Sequence, residues 1–373
     1  MLPRTFPTIP HEHMHQLLAR PRAPIRVVID TDAKNEIDDQ FALAWALLSP
    51  DILEVEAVYA APFSYRYQYE GLVRTFELLS RAPDSDLGPL TRYASWARGL
   101  LDVGMHPREL PIHEPEVGMQ QSYEEILLVF SKLGLSSPGR VFRGADRYLT
   151  STADPVASPA VEDLVVRASE PSDRPLYVVA IGCATNIASA LLLHPEIIRN
   201  VVVVWTSGYP TTMTVPNYSF NLEQDVPASQ LLFDSGVPHV YLPGYHVGAQ
   251  LQLSLPDVEA WVRGRGAIGD YLCWVYQNNP LYALRGIRDH LGRAKVIWDL
   301  INIAWLINPD WVPSQVLPAP ILRNDLTWER NVPRRHLMRE AYEVDRNAIF
   351  RDFLTKLDQH ARSPRSVAAH GTT

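Results

Sequence analysis

Between Arg26 and Pro50 the chain reads RVVIDTDAKNEIDDQFALAWALLSP, and ten of its residues hold five carboxylates: Asp30, Asp32, Glu36, Asp38 and Asp39. Carboxylates packed this densely repel, and burial drives some of them to the neutral form. A divalent cation keeps such a set ionised together. The Asp-rich set offers hard oxygen ligands, and no Cys or His pair stands at zinc spacing, which favours Ca²⁺ over Zn²⁺. A plainer role is open to part of the set, because Asp38 or Asp39 is a good N-cap for a following helix. One cap does not account for five acids.

The flanking residues say what positions these acids. Val27, Val28 and Ile29 form a β-branched run read as a buried strand, and Phe41 to Leu48 carries an apolar pattern read as a helix. The acids therefore sit in a strand-to-helix turn, and the crevice at the carboxyl end of a parallel strand is where open α/β sheets bind ligands.

The chain has 373 residues, 46% of them hydrophobic, enough to bury a sizeable core. Its net charge of −8 and the lack of a Lys/Arg-rich run argue against a nucleic-acid partner. Two cysteines, Cys183 and Cys273, lie in apolar segments and are expected as reduced thiols. The first 24 residues contain no apolar signal-peptide core and are read as a solvated leader that includes His11, His13 and His15. No run is long enough to span a bilayer. These features predict a soluble cytoplasmic protein.

Beyond the first unit, strands are expected at Leu53–Ala60, Leu176–Ile181, Val201–Trp205 and His239–Leu242. Helices are expected at 70–79, 95–101, 123–133, 158–169, 187–193, 225–235, 255–263, 268–276, 298–307 and 339–357. Residues 81–121, rich in Pro, Gly and charge, read as a surface excursion, and the tail from Arg362 reads as disordered. Alternating strands and helices predict one α/β domain over 25–361, an open, mostly parallel sheet with helices on both faces.

Separated segments then share a likeness. DTDAKNEIDDQFALA resembles the N-terminal motif DTDPGIDDAxA of the nucleoside hydrolases, the inosine–uridine preferring N-ribohydrolases. VAIGCATNIASALLLHP is similar to their GPLTNxAxAL segment, and SFNLEQDVPASQLLFDSGVP to EFNxxxDPxAAxxVFxSG. Arg143-Gly144-Ala145 looks like the family's VxxGA element, and WDLINIAWLINP resembles HDPLAVAxLxxP. Order and spacing hold over most of the chain.

The resemblance implies hydrolysis of the N-glycosidic bond of a ribonucleoside, with one calcium ion as cofactor. It implies a homodimer or homotetramer. Carried over by motif, Asp32, Asp39 and Asp299 become calcium ligands together with the Ile181 carbonyl, and Asp32 also becomes the base that activates water. Asp38 and Asn221 become partners of the ribose hydroxyls. Asp30 supports the loop. Plainer roles remain open: a helix cap for Asp38, a turn for Asn221, a helix-terminal acid for Asp299, and turn or cap roles for Thr185 and Asn186.

Three departures matter. The first loop is two residues longer than the family form, AKNE for PG, and an outward bulge is favoured over contact of Asn35 or Glu36 with the ligand. Ser219 stands where the family has the glutamate that holds the ribose 5′-hydroxyl, with Asn217 or Tyr218 as substitutes. Trp298 stands where many members carry the histidine that protonates the leaving base. Either Trp298 stacks on a purine-like base, or it packs in the core and His246, His290, Tyr282 or no group serves the leaving group. Two competing readings are a silent nucleoside or sugar binder and a DxD phosphatase using Asp30 and Asp32.

Overall fold

In the computed structural model, residues 6–288 and 292–363 are described. The central sheet has eight strands in the order β3-β2-β1-β4-β5-β6-β12-β9. They are β1 (Ile25–Thr31), β2 (Leu53–Ala60), β3 (Val141–Arg143), β4 (Leu176–Ala180), β5 (Val201–Ser207), β6 (His239–Pro243), β9 (Ser314–Pro318) and β12 (Leu337–Ala341). Two short ribbons pair β7 (Gln252–Ser254) with β8 (Ala294–Val296), and β10 (Ile321–Leu322) with β11 (Trp328–Glu329). All neighbours in the central sheet run parallel except β9 against β12.

The topology fixes where a site can form. From β1 the chain builds outward through β2 to β3, then returns to lay β4 on the other side of β1. Crossovers on the two sides diverge, so a crevice opens at the carboxyl ends of β1 and β4. Those ends carry Asp30 to Asp32 and Ile181 to Gly182. Strands β1, β4, β5 and β6 are buried throughout, as expected of sheet covered on both faces.

Several elements differ from expectation. The closing helix read from Arg339 begins only at Arg346, capped by Asp345, and residues 337–341 form β12. Charge concealed that strand. Arg339 donates to the carbonyls of Leu18 and Ser314, and the Glu340 carboxylate accepts from Thr211, so both polar groups are satisfied inside a sheet. The helix read from Tyr123 begins eight residues earlier, at Pro115. Asp38 and Asp39 occupy the first turn of helix Asp38–Leu47, whose N-cap is Ile37 with no side-chain cap bond, so the capping role is not filled by either acid. The expected solvated leader includes a helix packed on the domain. Helix His11–Leu17 sends Met14 and Leu17 into the main core and leaves His11 and His15 exposed. The expected disordered tail lies outside the described residues from 364.

The excursion at 81–121 folds back. With helix Arg66–Arg81 it forms a second apolar cluster that includes Tyr65, Leu72, Leu79, Trp96, Leu100 and Leu281. This cluster stands beside the β1/β4 crevice. Cys183 and Cys273 are buried free thiols. Among the described residues no helix is long and apolar enough to cross a membrane.

Candidate active site

The crevice is a cavity lined by Asp32, Asn35, Glu36, Asp38, Asp39, Ile181, Asn221, Trp298 and Asp299, among others. Its floor is built from three places in the chain. The end of β1 supplies Asp32. The first turn of helix Asp38–Leu47 supplies Asp38 and Asp39. Asp299, the residue before helix Leu300–Ile307, arrives from the far end of the sequence and makes no cap bond to its own helix. Carboxylate oxygens of Asp38, Asp39 and Asp299 lie within 4.8 Å of one another, and all three residues are buried.

Local contacts aim these acids. Thr31 Oγ1 donates to Asp39 Oδ1 at 2.5 Å. The nearby amides of Asp38, Ile37 and Trp298 favour the ionised form of the Asp38 carboxyl. Asn302 Nδ2 donates to the carbonyls of Ala180 (3.1 Å) and Val204 (3.0 Å), which clips helix Leu300–Ile307 onto the ends of β4 and β5. Gly182 passes so close to Asp32 that a Cβ there would stand 3.0 Å from its amide nitrogen. Asn221 Nδ2 donates to the carbonyls of Ile181 (3.2 Å) and Thr206 (3.3 Å), so it shares the floor with the expected backbone ligand.

The electrostatics of the floor suit a cation. Burial, then the charges of Asp39 and Asp38, holds Asp32 well above the usual carboxylate range. Burial followed by the neighbouring acids does the same to Asp39 and Asp299. Burial raises Asp38 to about 7. Asp32 Oδ2 and Asp38 Oδ1 are buried without a hydrogen-bond partner. Orphaned oxygens in a closely spaced, all-oxygen set are what a hard divalent cation satisfies, so the residues present fit such an ion.

The longer loop does not bulge outward. Ala33 and Ile37 are fully buried, and Asn35 Oδ1 accepts from the Tyr65 hydroxyl at 2.5 Å. Lys34, at φ +89°, pairs with buried Glu125 at 3.3 Å. Glu36 pairs with Lys295 of β8. These contacts turn Asn35 and Glu36 into the cavity wall. An outward bulge was expected; Tyr65, Glu125 and Lys295 are the partners that make the inward path satisfiable.

Other expected residues are sorted by the geometry. Trp298 is half-buried in the cavity wall, its ring edge-on to Tyr245 with centroids 5.8 Å apart, and so is not a core residue. Ser219 lines the cavity, with its Oγ 2.9 Å from Ser207 Oγ. Asn217 does not reach the cavity. Its carboxamide accepts from the Tyr209 amide and donates to the Leu326 carbonyl, and Tyr218 lines the wall instead. His246 is exposed, at φ +72°, with its ring against Tyr209 at 5.6 Å, and it too lies off the cavity. His290 lies outside the described residues. Asp30 is buried behind the floor and accepts from Asn186 Nδ2 at 2.7 Å. It lines no part of the cavity, which removes the nucleophile a DxD phosphatase needs. Gln68, Tyr245, Arg285 and the loop anchor Lys295 were not foreseen, since each lies outside the matched motifs.

Residues 27–351 match the inosine-uridine preferring nucleoside hydrolase family. The chain belongs to that family. The non-specific ribonucleoside hydrolase RihC of Salmonella agona is 28% identical over 297 residues, covering 77% of this chain and 80% of the relative. Among solved structures, a purine-preferring ribonucleoside hydrolase from Gardnerella vaginalis aligns with a TM-score of 0.58 at 19% identity, covering 90% of this chain and 99% of that one. An inosine-uridine preferring nucleoside hydrolase from Bacillus anthracis aligns with a TM-score of 0.54 at 16% identity, covering 90% and 99%. Both share the fold. This nucleoside hydrolase is thus an N-glycosidase, and its acidic cluster could hold a metal ion.

Proposed function

We propose that the cavity cleaves the N-glycosidic bond of a ribonucleoside to ribose and free base, with calcium as cofactor and Asp32 as the base. The observation that carries this is the meeting of Asp38, Asp39 and Asp299 within 4.8 Å at the strand-order switch, beside Asp32. Asp32, Asp39, Asp299 and the Ile181 carbonyl would hold the ion, with Asp38 close enough to join or replace Asp32 as a ligand. When bound, the ion would acidify a water molecule and fix sugar hydroxyls.

Asp32 accepts the proton of the attacking water. Asp38 and Asn221 hold ribose hydroxyls on the floor, and Ser219 faces the remaining end of the sugar. Positive charge builds on the ring as the bond breaks, and the surrounding carboxylates stabilise it more than they stabilise the neutral substrate. Trp298 and Tyr245 form an aromatic wall on which the base stacks. Indole donates no proton at neutral pH, so the departing base takes its proton from solvent. The enzyme works in the cytoplasm as a homodimer or homotetramer, a state light scattering would read directly. Exposed Trp261 and Trp274, at 57% and 53% exposure, suit an interface.

Release of free base from ribonucleosides, measured with and without a chelator, tests the reading. Hydrolysis that stops on chelation and returns with added calcium is expected. Hydrolysis untouched by exhaustive chelation contradicts it.

A further inference from the structure

The cavity that holds the acidic floor also holds a cation that the reaction above does not use. Arg285 is the single basic side chain among the described residues lining the cavity. Its Nε is buried without a hydrogen-bond partner, and among the described residues it joins no ion pair. Its guanidinium lies over the Trp96 ring, 5.2 Å from the centroid. A half-buried cation with unmet donors is costly unless a ligand supplies the acceptor.

The position is built rather than incidental. Trp96 Nε1 donates to the Leu284 carbonyl at 2.7 Å. A Cβ on Gly99 would stand 2.2 Å from the Arg285 carbonyl, and one on Gly286, at φ +66°, would stand 2.3 Å from the Gly99 carbonyl. Two glycines therefore let the backbones touch, and helix Ala94–Val103 becomes the platform for this arginine.

The cavity is electrically polarised as a result. Burial pushes the Tyr245 phenol up and Tyr209 adds to the rise, while Arg285 and Arg92 pull it back, so both guanidinium groups act at that wall. Arg92 is already satisfied by both oxygens of Glu223 and lies 3.7 Å over the Tyr218 ring. Arg285 has open capacity. The cavity residue at position 219 is a hydroxyl, which adds no negative charge to repel an anion.

We propose that the substrate carries a phosphate on its 5′-oxygen, a ribonucleoside 5′-monophosphate, and that Arg285 binds that phosphate. The proposal rests on the nucleoside-hydrolase reading for the placement of the sugar: the 2′- and 3′-hydroxyls face the acidic floor, which leaves the 5′ end free to meet a cation. A guanidinium presents a fork of donors that matches phosphate oxygens.

Calorimetric titration of the calcium-loaded protein with ribose 5-phosphate and with ribose tests the subsite without requiring turnover. Ribose 5-phosphate is expected to bind at least tenfold more tightly, consistent with one charge-assisted contact, and Arg285→Gln is expected to erase that difference. In parallel, kcat/KM for a nucleoside 5′-monophosphate is expected to exceed that for the parent nucleoside by a similar factor. Equal affinity for the two sugars, or failure of both to bind, overturns the proposal. So does an Arg285→Gln variant that loses turnover of nucleoside and nucleotide in equal proportion, which assigns the cation to the leaving base. The wild-type comparison decides by itself if the variant does not fold. A preference for ribose 5-phosphate without hydrolysis of any nucleoside or nucleotide keeps the subsite and removes the hydrolase reading.

Discussion

The floor and the far wall of the cavity are made in opposite ways. The floor comes from the carboxyl ends of β1 and β4 and from the first turns of two helices that pack on the sheet, so its geometry follows from strand order. The wall comes from the helices beside Tyr65 and around Trp96, from Arg285, and from Tyr245 after β6, and it has an apolar cluster of its own. The floor is acidic and the wall is aromatic with one cation. On the proposed reading, chemistry belongs to the part that topology dictates, and choice of substrate to the part that is added onto it.

This division can be broken at either side. The largest effect is expected on the floor: Asp32→Asn should lower kcat by about 10³-fold, the scale of losing a positioned general base, and steady-state release of free base measures it. A loss under tenfold would move the base elsewhere.

The second effect concerns stability. Asp38 and Asp30 are both raised by burial from 3.8 to about 7. A carboxyl raised in the folded state contributes stability that is full below its unfolded value and is lost as pH rises through the folded value. In chelator, Tm should therefore fall between about pH 4 and pH 7. Calcium should restore the part due to Asp38, which lines the cavity, and leave the part due to Asp30, which bonds Asn186 behind it. Scanning fluorimetry across pH with and without calcium reads both.

Smaller effects separate the loop from the bystanders. Tyr65→Phe removes the hydrogen bond that turns Asn35 inward and should cost about tenfold in kcat/KM, on the scale of one hydrogen bond. His246→Ala should change kcat by less than about twofold, as usual for an exposed residue away from the site. A large loss there would return His246 to the leaving group and contradict its exposed position.

What the sequence disclosed follows the same division. Strand β1, the acid turn and the helix after it were legible because β-branched and apolar runs bracket the acids. Asp299 and Asn221 were legible through motif likeness, since nothing in spacing alone brings residues so far apart together. The strand Leu337–Ala341 was not legible, because Arg339 and Glu340 read as a solvated helix face until their partners on other strands are known. The inward course of Asn35 and Glu36 was hidden for the same reason: Tyr65 and Lys295 are remote in sequence. Arg285 carried no signal, since its meaning depends on Trp96 and on two glycines that let backbones meet.

Calcium binding to Asp299→Asn tests the central claim most directly, because Asp299 joins the floor from the far end of the chain. Titration calorimetry on the folded wild type should show one calcium site per chain, and the variant, matched to it by circular dichroism, should bind about 100-fold more weakly, the upper end of the cost of disturbing a metal site's support. Undiminished calcium binding by that variant would mean that the converging carboxylates do not form the metal site.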